Sequence, residues 1–142
     1  MTAKPTAVPL GHEEAFAKAF ILSEKRARFL QGLADPKHRQ EVLARMSLSL
    51  PTIPALGTEV PGAQDFPDEL EKLLRAKGAG PTCHLLAGGL KADGRTLPLR
   101  EALTLICLHD SGAILSCIPG RLAYYRPGAP AAGVLLERPG PG

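Results

Sequence analysis

Where proline and glycine fall along this chain constrains its fold more than any other feature. Fourteen prolines and fifteen glycines stand among 142 residues, about a fifth of the chain against an ordinary share nearer 12%. Proline fixes φ and has no N–H to give a ladder, and glycine loses more backbone freedom on ordering than any other residue. Clusters of the two therefore exclude long elements. Three lie in residues 1–11, six between Pro51 and Pro67, and eight in the last sixteen residues. Most of the rest stand at positions where a cap or a turn is needed. Short elements in a folded core of roughly 110 residues follow from this punctuation. No Gly-X-Y period exists, which excludes a collagen helix.

The 44% hydrophobic fraction excludes a wholly disordered chain, because enough apolar surface exists to offset the entropy of ordering. One domain fits the length. Aromatic residues make up 4% and tryptophan is absent, so the core is expected to consist mainly of Leu, Ala, Ile and Val. The expected organisation is a flexible leader over 1–11, one domain over 12–138 with a Pro-rich connection at 48–67 inside it, and a loose tail at 139–142.

A formal net charge of +3 is too small to demand a polyanionic partner. The densest apolar stretch, Ala102 to Leu108, is far shorter than a membrane span, and no signal-peptide core precedes the domain. The three cysteines, Cys83, Cys107 and Cys117, are an odd number where a secreted framework uses an even set. A cytoplasmic protein with reduced thiols is expected.

Local signals divide the chain into a helical first half and a second half rich in strands. His12 to Ile21 has helical composition, with Phe16 and Phe20 one turn apart. Ser23 offers an N-cap for a helix over Glu24–Leu33. Asp35–Pro36 is the sharpest signal: Asp accepts backbone N–H groups as a cap, and proline at the first helical position gives up a donor that has no partner anyway. That helix runs to about Ser47, with Val42, Leu43 and Met46 inward and Lys37, Arg39 and Arg45 toward water. Residues 48–62 read as an extended loop, and a helix follows from Pro67 to Lys77 with Gly78 and Gly80 stopping it. Thr82–Ala87 is a strand, Asp93–Gly94 a tight turn, Leu99 to His109 a helix, and Ala113–Ile118 and Arg121–Arg126 are strands. Gly133–Glu137 reads as an edge strand. Pro119–Gly120 favours a type II turn, which does not match the twist of a two-residue hairpin, so a splay or bulge is expected there. The fold class is α+β: a helical N-terminal half packed on one face of a small, mostly antiparallel sheet from the C-terminal half.

Four constellations carry candidate chemistry. A thiol enzyme would centre on Cys117, at a strand end, with His84 or His109 as the base; against it, free cysteine is among the most buried residue types. For zinc, Cys83, His84, Cys107, His109 and Cys117 lack shared-face spacing. Adjacent Cys83 and His84 on a strand point to opposite faces, and Cys107 and His109 on a helix diverge by about 200°. No metal and no cofactor are expected. Nucleic-acid binding would use the helix pair at 24–47 as a helix-turn-helix, with Arg26, Arg28, Lys37 and Arg39 as contacts. Arg95, Arg121, Tyr124, Tyr125 and Arg126 form the last group, in which arginine forks and tyrosine hydroxyls suit a phosphate or carboxylate, or anchor a partner protein. No P-loop, dinucleotide loop, HExxH or GxSxG occurs. The reading is a small non-enzymatic domain that binds a protein partner, a second copy of itself or a small anionic ligand through the Arg121–Arg126 strand. Nucleic-acid binding through 24–47 and a Cys117 enzyme are the alternatives, and no membrane role is expected.

Overall fold

The computed structural model describes residues 7–45, 50–60, 66–109, 112–128 and 132–138, with the side chains of 7–10 left aside. Among the described residues there are five helices, α1 (Ala7–Phe20), α2 (Ser23–Ala34), α3 (Pro36–Arg45), α4 (Pro67–Ala76) and α5 (Leu99–Cys107). Six strands, β1 (Gly57–Glu59), β2 (Thr82–Ala87), β3 (Thr96–Pro98), β4 (Ala113–Ile118), β5 (Leu122–Arg126) and β6 (Val134–Glu137), form one sheet. The sheet is antiparallel throughout, in the order β1-β6-β5-β4-β2-β3. The fold is α+β, with helices mostly N-terminal and strands mostly C-terminal.

The sheet is covered on both faces, where the sequence led us to expect one. Leu86, Ile114, Ala123, Tyr125 and Leu136 pack against Phe16, Phe20, Phe29, Leu33 and Leu43 of α1–α3. Leu85, Leu115, Cys117, Leu122 and Tyr124 pack on the other side against Leu70 and Leu74 of α4 and Leu99, Leu103 and Ile106 of α5. The reason was present in the strands themselves. Their apolar residues run almost without interruption, as in Leu85-Leu86-Ala87 and Ala113-Ile114-Leu115, and such runs need cover on both faces.

Most element boundaries follow the local chemistry. Asp35 caps α3, its Oδ1 accepting the Lys37 N–H at 2.9 Å. Gly78 leaves α4 with φ of +106°, as a glycine stop requires. Arg121 N–H donates to the Ile118 carbonyl at 2.9 Å, with Gly120 between them at φ +72°. The expected irregularity beside this turn is a register shift between Ser116 and Ile118, which makes Cys117 the extra residue of a bulge.

Several expectations change. Helix α1 begins at Ala7, inside the expected leader; Pro9 is tolerated because N–H groups of a first turn have no helical partner. Ser23 is not the cap of α2: Leu22 holds that position without a side-chain bond. The Pro-rich connection contains a 3₁₀ turn (Pro54–Leu56) and the strand β1. Because β1 pairs with β6, β6 is interior and β1 is the edge. Met46, the leader's first six residues and the tail at 139–142 lie outside the described residues.

Candidate functional site

Among the described residues, the buried polar side chains of Glu13, His84 and Ser116 meet in one place, between α1, α3, β2 and β4. Glu13 lies on the apolar stripe of α1 with Phe16, Ala17 and Phe20, and Arg39 lies on that of α3 with Val42 and Leu43. Helical spacing therefore aims both charges inward. The Arg39 fork grips Glu13 at 2.9 Å through both terminal nitrogens. It also grips Asp93 at 2.9 and 3.0 Å, and it reaches the Leu33 carbonyl at 3.3 Å. Asp93 accepts the Ala87 N–H at 3.0 Å, which fixes the turn between β2 and β3. His84, wholly buried, donates from Nε2 to Glu13 at 3.0 Å. With the proton on Nε2, its Nδ1 has no hydrogen-bond partner among the described residues. His12 stacks on His84 with ring centroids 5.1 Å apart and bonds through Nδ1 to Ser116 Oγ at 2.9 Å.

Electrostatics inside the cluster follow from its geometry. Burial by itself would raise the Glu13 carboxyl, but hydrogen bonds from His84 and Arg39 outweigh it and hold the group below the ordinary range. Burial, then the neighbouring His84, push His12 below its ordinary value. Arg39 is held even more firmly charged, its carboxylate partners outweighing burial. The Ser116–His12 pair has the composition of a nucleophile and base, yet Ser116 is 1% exposed beneath α1. The cavities described below are lined by other residues. The chemistry of this cluster is that of an ionic clamp between two helices and the sheet.

The thiol constellation does not converge. Cys117 and His84 sit on opposite faces of the sheet, because β2 and β4 alternate. His109 bonds instead to the Gly88 carbonyl at 2.9 Å. Burial pushes the Cys83 thiol up to about 12; burial, then Cys83, push Cys117 higher still, the reverse of what a nucleophilic thiol needs. Among the described residues no three His, Cys, Asp or Glu group as a metal site.

Two of the four cations expected for nucleic acid are engaged elsewhere. Arg39 is in the clamp, correcting its expected place toward water. Arg26 donates to the Ala17 and Ile21 carbonyls at 3.1 and 3.2 Å, at the C-terminal end of α1, where Ala17 also accepts the Ile21 N–H. Arg28 and Lys37 are exposed.

The Arg–Tyr group is likewise dispersed. Tyr124 is buried on the α4–α5 side and Tyr125 on the α1–α3 side, where burial raises its hydroxyl to about 12. Alternation along β5 places them on opposite faces, and both faces are covered. Arg126 donates to the Tyr124 hydroxyl at 3.4 Å. Arg95 stands by the opposite edge strand, its carbonyl accepting from Leu85 at 3.0 Å.

Of that group, Arg121 lines a cavity. It is exposed on the β4–β5 turn and lines a cleft of about 660 Å³ with Lys77, Arg138, Leu56, Ile118 and Leu122. Among the described residues its guanidinium has no partner. Lys77 is 3.5 Å from Glu137, also in the cleft wall, and Arg138 donates to the Ala19 carbonyl at 2.9 Å. Its backbone N–H donates to the Arg121 carbonyl at 2.9 Å, which joins the two arginines' segments. Sequence reasoning missed Lys77 and Arg138 because the end of α4, which carries Lys77, and the end of β6, which Arg138 follows, reach Arg121 only in the folded chain. Comparison with protein-family models, curated proteins and solved structures finds no match.

Proposed function

We propose that this chain is a non-enzymatic binding domain that takes a small anionic ligand, a phosphate or carboxylate on a compact body, in the cleft beside Arg121. The observation that carries this reading is the exposed, unpartnered Arg121 guanidinium on the wall of a cleft of about 660 Å³. That volume lies within the ordinary range for small-ligand pockets. A guanidinium fork matches the two oxygens of such a ligand, and Lys77 and Arg138 add positive charge against the single carboxylate of Glu137. Leu56, Ile118 and Leu122 supply an apolar wall for the body that carries the anion. The free thiols suit a reducing compartment, and the same reading keeps the domain cytoplasmic. Among the described residues no helix is long and apolar enough to cross a membrane.

Calorimetric titration with inorganic phosphate, pyrophosphate and succinate tests the reading. Saturable binding of at least one is expected. Arg121→Ala is expected to weaken it by about tenfold or more, the loss of a charged hydrogen-bond pair, with an unfolding midpoint little changed because Arg121 is exposed and its guanidinium has no hydrogen-bond or ion-pair partner among the described residues. Equal binding by wild type and Arg121→Ala overturns the assignment.

A further inference from the structure

A second cationic cavity lies on the α2–α3 side of the molecule. A groove of about 420 Å³ runs between α2, α3 and the Leu50–Pro51 segment. Phe29, Val42, Leu50 and Pro51 form its apolar floor, and Lys25, Arg28 and Arg45 stand around it without a carboxylate in the lining. Among the described residues none of these cations makes a side-chain ion pair. An occupant that complements this groove carries one bulky apolar group flanked by acids.

The chain itself presents such a corner. Phe66, at the cap of α4, is 59% exposed, and Asp68 and Glu69 follow it in the first helical turn. Leu108 is the other large exposed apolar side chain among the described residues, but one acid, Asp110, follows it closely in sequence where two follow Phe66. Within the monomer Asp68 meets Arg100 and Glu69 lies 3.6 Å from Lys72. Both pairs are solvent-exposed, and exposed pairs are weak enough to exchange partners. Corner and groove cannot meet within one copy, because α4 packs on the Leu85–Leu115 face of the sheet and α2–α3 on the Leu86–Ile114 face.

We propose that the α2–α3 groove receives the Phe66–Glu69 corner of a second copy of this chain. Phe66 seats on the Phe29–Val42–Leu50 floor, and Asp68 and Glu69 face Lys25, Arg28 and Arg45. Because anchor and groove lie on opposite faces, the contact is head-to-tail and builds a chain or ring rather than a two-fold dimer. This inference is independent of the Arg121 cleft.

Sedimentation velocity on the full chain tests it, at up to about 1 mM protein, where weak contacts become populated. The expected result is a concentration-dependent series extending past the dimer at low salt, and smaller species at high salt as the rim charges are screened. Phe66→Ser and Arg28→Glu, both at exposed positions, should each remove the series while far-UV circular dichroism stays unchanged. Mixed one to one, the two variants should form a heterodimer and nothing larger, since one keeps its groove and the other its corner. A monomer at every concentration, association that survives either substitution, or a mixture that does not pair overturns the proposal. So does a monomer that instead takes up a short DNA duplex through Lys25, Arg28 and Arg45.

Discussion

Glu13, Arg39 and Asp93 form a costly group to disturb, because each charge is largely buried against the next, with His84 bonded to Glu13. Replacing Arg39 with methionine keeps much of the side-chain volume but leaves Glu13 and Asp93, 5% and 9% exposed at the side chain, without their cation. A loss of about 3–5 kcal/mol is expected, the usual result of breaking a buried pair from one side, read from urea unfolding followed by circular dichroism. A loss below about 1 kcal/mol would mean that the clamp does not hold the helices. The same cluster sets a direction for pH. His12 and Glu13 both have folded values lowered from 6.5 and 4.5, so the unfolded chain binds more protons. The stability each contributes is complete above its ordinary value and is lost as pH falls through its folded value. The unfolding midpoint is therefore expected to fall as pH drops below about 6.5, first through His12 and then through Glu13. His38, raised by Asp35, acts in the opposite sense, but it is exposed and contributes little. His12→Gln should flatten the midpoint between about pH 7.5 and 5; an unchanged slope would remove His12 from the account. This cluster was legible in part. A carboxylate in step with Phe16 and Phe20, and an arginine in step with Val42 and Leu43, are charges on apolar stripes, the pattern by which a buried ion pair shows itself. What spacing could not supply was the partner, because Asp93 and His84 lie more than fifty residues along the chain.

At the scale of elements, local chemistry located what local chemistry controls. The Asp35 cap, the stop at Gly78, the Pro119–Gly120 turn with its bulge, and strand β2 depend on neighbours in sequence, and they stand where those neighbours predict. Strands β1 and β3, three residues each, exist only because β6 and β2 supply partners, so no local pattern announces them. The cover on the second sheet face belongs with these, since it depends on where α4 and α5 return. Two measurements follow. Gly120 holds a left-handed φ of +72°, so Gly120→Ala should cost about 1–2 kcal/mol, visible as a lower unfolding midpoint. Amide exchange should be fastest in β1, a short edge strand with Thr58 and Glu59 exposed, and slowest in β2, β4 and β5. Protection in β1 equal to that in β4 would contradict the edge assignment.

The whole molecule separates a buried polar centre from two cationic clefts at its surface. Proline and glycine shape this division. The Pro-rich connection, which as a sequence reads only as a loop, carries the Phe20–Ile53 and Leu22–Pro51 backbone bonds at 2.8 and 2.9 Å, and it contributes Leu50 and Pro51 to one groove and Leu56 to the other. The sequence places the binding surface on one strand, whereas the cleft we propose draws on segments far apart, with Arg121 common to both readings. The most direct test is an amide NMR titration of the wild-type chain with the anion it binds best. Binding at the cleft predicts saturable shifts at Arg121, Gly78, Lys77 and Arg138, with His12, His84 and Ser116 unmoved. Shifts centred on His12 and Ser116, with Arg121 silent, would move the functional site to the buried cluster and contradict the account.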